Sequence, residues 1–366
     1  RAGSQGLTLT DMDGDGDLDL YLANYGENSM LRSGGMFSVR TVGGKPVVTG
    51  RHANRLKIIQ NRLIELGEPD VLYRNDGKGF FTPASWTDGS IFLDHQGKAF
   101  KAIPWDQGLS AMFRDINQDG YPDLYVCNDF QTPDRIWLND GQEHFRPLAA
   151  EALRSTPHFS MSVDFADIDR DGLDDFFVTD MLSRSHVLRM RQIGATNPPP
   201  DEVGEDLDRH QIRRNTLFLN RGDGTYAEIA NFAGVDATDW TWCVIFLDVD
   251  LDGYEDILVT TGHAYDTQDY DMFEHAPSSA IPVVGMRRGK NLKDYPPLRT
   301  PNVAFRNRGN RTFEEIGARW GFASPRVSHG MCLADLDNDG DLDVVVNCLW
   351  EPALVYRNDS SAPRVA

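Results

Sequence analysis

One nine-residue pattern, Asp-x-Asp/Asn-x-Asp-Gly-x-x-Asp, occurs five times in this chain: Asp11–Asp19, Asp115–Asp123, Asp167–Asp175, Asp248–Asp256 and Asp335–Asp343. Each copy follows a short apolar or small-residue run, such as Cys243–Leu247, and precedes a β-rich run. Those following runs are Leu20–Leu22, Leu124–Val126, Phe176–Val178, Ile257–Val259 and Val344–Val346. Strand, acidic loop, strand is therefore the expected unit, and its recurrence marks a repeat architecture.

A second signature trails the first. Val71–Phe80, Ile136–Gly141, Leu217–Tyr226 and Ala304–Phe313 each run from a strand into an Asn/Asp/Gly turn. Where the next strand is included, it begins with an aromatic, which is hairpin chemistry. Two hairpins make four strands, the content of one β-propeller blade. The sequence predicts an all-β chain, a single propeller array over 1–366, with blades near 5–89, 107–153, 158–233, 239–320 and 328–359. The fifth module stops at Val355–Asp359 without a last strand, so the chain reads as a fragment of a longer one. Arg1–Gly6 has no apolar stretch of signal-peptide type, which fits a processed or truncated start.

Loop starts lie 104, 52, 81 and 87 residues apart, so the 52-residue interval is a bare blade and the others carry insertions. These fall at 27–70, 182–214 and 262–302 and are expected to be short helical or irregular segments. Leu56, Ile59, Leu63 and Leu66 fall at helical spacing and predict a short amphipathic helix in the first. Insertions of this kind are where repeat folds usually bind partners.

The acidic loops have the chemistry of calcium sites. Calcium takes six to eight hard oxygens in a forgiving geometry. Side chains at positions 1, 3 and 5 of each loop point inward, and the glycine at position 6 permits the turn. Position 7 offers its carbonyl, and the aspartate at position 9 closes the shell. The candidate ligands are Asp11, Asp13, Asp15, Asp17 and Asp19; Asp115, Asn117, Asp119, Tyr121 and Asp123; Asp167, Asp169, Asp171, Leu173 and Asp175. The last two loops supply Asp248, Asp250, Asp252, Tyr254 and Asp256, then Asp335, Asp337, Asp339, Asp341 and Asp343. About five structural Ca2+ ions are expected. An EF-hand needs an acid at position 12 and then a helix; here position 12 is Leu22, Val126, Val178, Val259 or Val346. Acidic turns with no ion are the plainer alternative, but the loops hold 23 of the 56 acidic residues, and such crowding repels without a cation.

Composition narrows the partners. A formal charge of −20 would repel a phosphate backbone, so nucleic acid is not expected. No apolar run is long enough to span a membrane. Cys127, Cys243, Cys332 and Cys348 show no metal or redox spacing, and buried thiols are the plain reading, although Cys332 and Cys348 flank one hairpin.

The Asp-x-Asp-x-Asp-Gly-x-x-Asp loops followed by Leu-Tyr-Arg-Asn-Asp-Gly hairpins resemble FG-GAP/VCBS repeats, shared with the integrin α-subunit propeller. Met161–Met181, Asn215–Thr225, Asp239–Trp242 and Asp248–Asp256 resemble bacterial secreted proteins of the cartilage-acidic-protein-like group, which often carry an ASPIC/UnbV segment. The resemblance implies a calcium-bound propeller that is secreted, periplasmic or on the cell surface, with no defined reaction.

Three other features have two readings each. Arg221-Gly222-Asp223 spells an adhesion tripeptide, but its residues are those a hairpin turn demands. His263, Asp266, Asp269, Asp271, Glu274 and His275 gather acids and imidazoles that suit acid–base work or a second metal, or simply a solvated loop. Trp240 and Trp242, with Trp86, Trp105 and Tyr265, are candidate platforms for sugar rings, or packing between blades. Nucleophile-elbow, Walker and His-x-x-x-His motifs are absent. The expected function is a non-catalytic extracellular binding or adhesion module for a protein or polysaccharide, or for another subunit of a surface assembly. The alternative is a polysaccharide lyase or hydrolase using His263, Asp266, Asp269 and Asp271.

Overall fold

The alternation of acidic loop and β-branched run is realised as five small antiparallel sheets, and the chain is a β-propeller. The computed structural model describes residues 3–26, 37–51, 53–59, 62–130, 132–192, 209–272 and 292–360. Two compact units are formed, Arg1–Ala150 with Met190–Arg209 and Thr267–Tyr295, and Glu151–Arg189 with His210–Asp266 and Pro296–Ala366.

The first unit holds two blades. Blade 1 is Ser4–Thr10, Asp19–Asn24, Val71–Asn75 and Phe81–Pro83, hydrogen-bonded in that order. Blade 2 is Gly108–Arg114, Asp123–Asn128, Arg135–Asn139 and Phe145–Pro147, in the same order. Blades 3 to 5 lie in the second unit. Blade 3 is Ser162–Ala166, Asp175–Thr179, Thr216–Asn220 and Tyr226–Glu228, and blade 4 is Thr241–Leu247, Asp256–Thr261, Val303–Asn307 and Phe313–Glu315. Blade 5 has Ser328–Ala334, Asp343–Cys348 and Leu354–Tyr356, with no fourth strand among the described residues.

The second strands of blades 2 to 4 are buried on both faces, which explains why Asp123–Asn128 and Asp256–Thr261 read as continuous rather than alternating runs. Between blades 1 and 2 the core gathers Met12, Tyr21, Leu72, Leu124, Trp137 and Phe145, with Trp86 stacked on Phe92 at 3.8 Å. Between blades 3 and 4 it gathers Ile168, Phe177, Leu217, Ile257, Phe305 and Phe313. Each such side chain contributes about 1.5–3 kcal/mol by leaving water, so these inter-blade layers are the main cohesive term.

The acidic loops join first to second strands, and all three insertions join second to third strands. Within a blade the two kinds of connection therefore leave opposite ends of the sheet. The predicted helix around Leu56–Leu66 is not formed: Leu56–Ile59 and Arg62–Glu65 pair as an antiparallel hairpin. A turn between short strands puts Leu56 and Leu63 on one face, as helical spacing would, and they pack with Phe37, Val39, Val48 and Ile58. β-branched Ile58 and Ile59 favour the strand. The second insertion carries the helix His186–Gln192 and the strand His210–Ile212, which pairs in parallel with Ser155–Pro157. Its residues 193–208, and 273–291 of the third, lie outside the described residues, so Glu274 and His275 do too. All four cysteines are free thiols; Cys332 pairs with Val345 and Cys348 with Ser328, so the two are out of register for a bridge.

Candidate metal centres

The five acidic loops share one conformation. The carboxylate at position 1 accepts backbone N–H bonds at 2.8–3.1 Å from across the turn: Asp11 from Gly14 and Gly16, Asp115 from Asp119 and Gly120, Asp167 from Asp171 and Gly172, Asp248 from Asp252 and Gly253, and Asp335 from Gly340. Position 5 accepts the N–H of position 7 at 2.9–3.1 Å. The turn needs a left-handed backbone at two places. Position 6 is always glycine, and position 4 also has positive φ, even as Gln118 (58°), Arg170 (62°) and Leu251 (55°). A branched hydrocarbon held there at such φ is strain that the loop's other bonds must offset.

Oxygen ligands converge where the sequence places them. Asp11, Asp13 and Asp15 bring carboxylate oxygens within 4.8 Å of one another, as do Asp248, Asp250 and Asp252, and Asp335, Asp337 and Asp339. In the third loop the triad is Asp167, Asp169 and Asp175. The second loop has Asn117 at position 3, whose Nδ2 donates to Asp119 at 2.9 Å. At position 3, one oxygen each of Asp169 and Asp250 is buried with no hydrogen-bond partner, a donor arrangement that fits a cation. The opposite oxygens meet arginine: Arg311 contacts Asp169, Arg306 contacts Asp250 and Asp252, and Arg74 reaches both Asp13 and Glu143.

Position 9 has a structural part of its own. Asp19, Asp123, Asp175, Asp256 and Asp343 are each at most 2 % exposed. One oxygen accepts the N–H of position 2 at 2.9–3.3 Å. The other accepts, at 2.7–2.9 Å, the N–H of the asparagine that ends the third strand or follows it: Asn75, Asn139, Asn220, Asn307 or Asn358. This carboxylate ties the acidic loop to the outer hairpin of its own blade. Burial pushes Asp123, Asp175 and Asp256 up to about 7, against the pull of those N–H bonds. A nearby divalent cation favours the charged form and acts in the opposite direction.

Three of these asparagines also tie one blade to the next, a structural role that sequence reasoning passed over. Asn139 Nδ2 donates to Met12 O at 2.9 Å, Asn307 to Ile168 O at 2.8 Å and Asn358 to Val249 O at 3.0 Å. In each case the acceptor is position 2 of the preceding blade's loop. The repeated Asn before the hairpin glycine was the available signal. Position 7 side chains lie over those glycines; a Cβ on Gly141 would sit 2.4 Å from the Tyr121 ring. That close approach, with φ of 66° at Gly141, is why the turn keeps glycine there.

Three segments of the sequence match a family model. Residues 115–178, 207–259 and 297–346 match the family model of the FG-GAP-like repeat. The chain carries FG-GAP-like repeats. The matched segments contain the second to fifth loops, four of the five found by pattern. No curated protein matches this chain. Among solved structures, an Agrocybe aegerita lectin described for specific recognition of non-reducing terminal N-acetylglucosamine is 14 % identical, with 98 % of this chain and 74 % of that chain covered and a TM-score of 0.37. At that TM-score the likeness carries no argument about the FG-GAP-like repeats here.

The remaining candidates divide. Arg221-Gly222-Asp223 is a hairpin turn, with Gly222 N–H on Asn220 and Asp223 accepting Thr225 N–H. Trp86 is core, 6 % exposed, with its indole N–H on Asp70 O. Trp240 stacks on His263 at 4.2 Å, and His263 Nδ1 lies 2.6 Å from Tyr265 O. Asp266 is buried, with its N–H on Pro296 O. His263 and Asp266 belong to the second unit and Asp269 and Asp271 to the first, where Asp269 accepts the N–H of Asp271 at 3.0 Å. Among the described residues no helix is long and apolar enough to cross a membrane.

Proposed function

We propose that this chain is a calcium-stabilised binding propeller that works outside the cytoplasm and presents a recognition surface to a protein or polysaccharide. The observation that carries the reading is the buried, unpartnered position-3 oxygen of Asp169 and Asp250 inside a triad of carboxylates whose backbone turn is already formed. Asp, Asn and carbonyl oxygens are hard donors suited to Ca2+ rather than to soft metals. Positions 1, 3, 5, 7 and 9 of each loop are the proposed ligands, with position 9 also serving as the tie to the hairpin. Loops this open to water suit the calcium concentrations found outside cells, which fill even weak sites. Presentation at a secreted, periplasmic or cell-surface location follows from that. The recognition surface is assigned to the second-to-third-strand insertions, at the blade end away from the ions. No specific observation favours catalysis by the His263 group.

The test is thermal unfolding in chelator, followed by stepwise addition of calcium. An ion that binds only the folded state adds roughly 3 kcal/mol per site at a hundredfold excess over its dissociation constant. A calcium-specific rise in Tm that is lost in Asp169→Ala and Asp250→Ala supports the reading. An unchanged Tm, or an equal rise with magnesium, overturns it.

A further inference from the structure

An arginine accompanies the acid at position 3 of the loops, and the third blade brings none of its own to that place. The residue just before the hairpin asparagine is Arg74 in blade 1, Arg306 in blade 4 and Arg357 in blade 5. Each contacts position 3 of its own loop: Arg74 meets Asp13 at 3.0 Å, Arg306 meets Asp250 at 2.6 Å and Arg357 meets Asp337 at 3.9 Å. Blade 2 has Leu138 there, and its position 3 is the neutral Asn117. Blade 3 has Leu219 but keeps the charged Asp169. Asp169 is also the most deeply buried of the four acids, 6 % exposed against 14 % for Asp13, the next.

Arg311 of blade 4 takes the part. Its Nε donates to Asp169 Oδ2 at 2.6 Å, and its Nη2 lies 2.6 Å from the same oxygen. Asn307 holds that hairpin on the third loop, its Nδ2 donating to Ile168 O at 2.8 Å. Arg311 sits four residues after the hairpin asparagine, at a φ of 67°. The same place is Gly79 in blade 1 and Gly224 in blade 3, at 85° and 79°. A residue with a Cβ takes this left-handed conformation at a cost that glycine avoids. Blade 2 bears the cost too, with Glu143 at 69°, and Glu143 likewise reaches the preceding blade, where it contacts Arg74. The neighbour thus supplies an acid where the loop's own blade brings arginine, and an arginine where it brings leucine.

We propose that the metal site of the third loop is a composite of two blades, with Arg311 as its positioning residue. Arg311 holds Oδ2 of Asp169 and leaves Oδ1, buried and without a hydrogen-bond partner, to the ion. The inference rests on calcium as the ligand of these loops. Partners that orient a ligand from outside the metal's own shell are typically responsible for about ten- to a hundredfold in affinity. The arginine's charge acts against a second cation, and the orientation it gives Asp169 acts in favour of one. Arg311 is 51 % exposed, so water and salt screen the repulsion, whereas the orientation acts on a buried carboxylate. Orientation is the larger effect.

The test is calcium binding to the whole chain, by isothermal titration with equilibrium dialysis for the number of ions. Arg311→Gly removes the side chain and suits the backbone, as Gly79 and Gly224 do. It is expected to weaken one site at least about tenfold. Adding Leu219→Arg, which gives blade 3 the arginine that blades 1, 4 and 5 carry, should restore most of that loss. Asp169→Ala should remove one ion, and Arg311→Gly on top of it should weaken no further site. Unchanged or tighter binding in Arg311→Gly overturns the proposal, as does an equal loss in the Asp169→Ala background. A parent chain that binds no calcium strikes the calcium reading itself, and this inference with it, before any variant is compared. Should Leu219→Arg fail to fold, Arg311→Lys replaces it as the rescue, and a loss in Arg311→Lys as large as in Arg311→Gly overturns the proposal.

Discussion

Blades 1 and 2 pin their second strand to the start of the third with a carboxylate, whereas blades 3 and 4 use an amide at the same place. In the first pair, Asp70 accepts Asn24 N–H at 2.7 Å and the Tyr21 hydroxyl at 2.8 Å, and Asp134 accepts Asn128 N–H at 2.9 Å and the Tyr125 hydroxyl at 2.7 Å. In the second pair, Asn215 accepts Asp180 N–H at 2.7 Å and Asn302 accepts Thr261 N–H at 3.1 Å. The residue opposite explains the choice. Where the second strand offers a tyrosine hydroxyl, an acid has a second donor; where it offers Phe177 or Leu258, an acid would be under-bonded and the neutral amide fits. One backbone need thus has two solutions, and only the acidic one carries a proton that depends on pH.

The largest expected effect comes from removing each pin. Asp70→Ala strands the Tyr21 hydroxyl and Asn24 N–H and should cost about 3–5 kcal/mol, against about 1–3 for Asn302→Ala, which strands Thr261 N–H. Urea unfolding in calcium measures both, and equal losses would erase the distinction between the blades. Next is pH. Burial raises Asp70 from 3.8 to about 7, against the Asn24 and Tyr21 hydrogen bonds. The folded state therefore keeps this proton where the unfolded chain has lost it. Its contribution is complete below about pH 4 and is lost as pH rises through 7, in all roughly 3–4 kcal/mol. Asp70→Asn should flatten that descent relative to the parent protein, read as the difference between their stability–pH curves. A parallel pair of curves would place the charge elsewhere.

Smaller effects sharpen the comparison. Tyr21→Phe leaves Asp70 with one fewer donor and should cost about 1–2 kcal/mol, whereas Tyr73→Phe, on the neighbouring strand, should cost little. In blade 3, Asn215→Asp should destabilise, because Asn215 Nδ2 also donates to Val235 O and Thr238 Oγ1. Adding Phe177→Tyr to that variant should recover about 1 kcal/mol. A double-mutant cycle with no coupling would show that the tyrosine is incidental.

Much of this was legible in the sequence, and the reason is local. A loop of fixed length whose glycine, carboxylates and flanking strands all serve one turn leaves its full signature in nine letters. The hairpins with Asn and Gly did likewise. The Leu56–Leu66 segment misled because four leucine-type residues around a tight turn satisfy helical and hairpin spacing alike; its partners Phe37 and Val48 are distant in the chain. The structural part of Asp19, Asp123 and their equivalents was hidden for a different reason. An aspartate that ligates and one that accepts two backbone N–H bonds are the same letter, and only burial separates them. The Tyr21–Asp70 pair spans an insertion, so no window shows it.

Within each unit, an asparagine from one hairpin bonds to the loop of the preceding blade, a donor on one blade meeting an acceptor on the next. Joins built this way are interchangeable: Asn139 on Met12, Asn307 on Ile168 and Asn358 on Val249 are the same bond between different copies. Duplication or deletion of one whole module by unequal recombination would restore a complete join at the new seam. Arrays of different length could then arise without a misfit to repair, and the insertions could diversify while the seams stayed fixed.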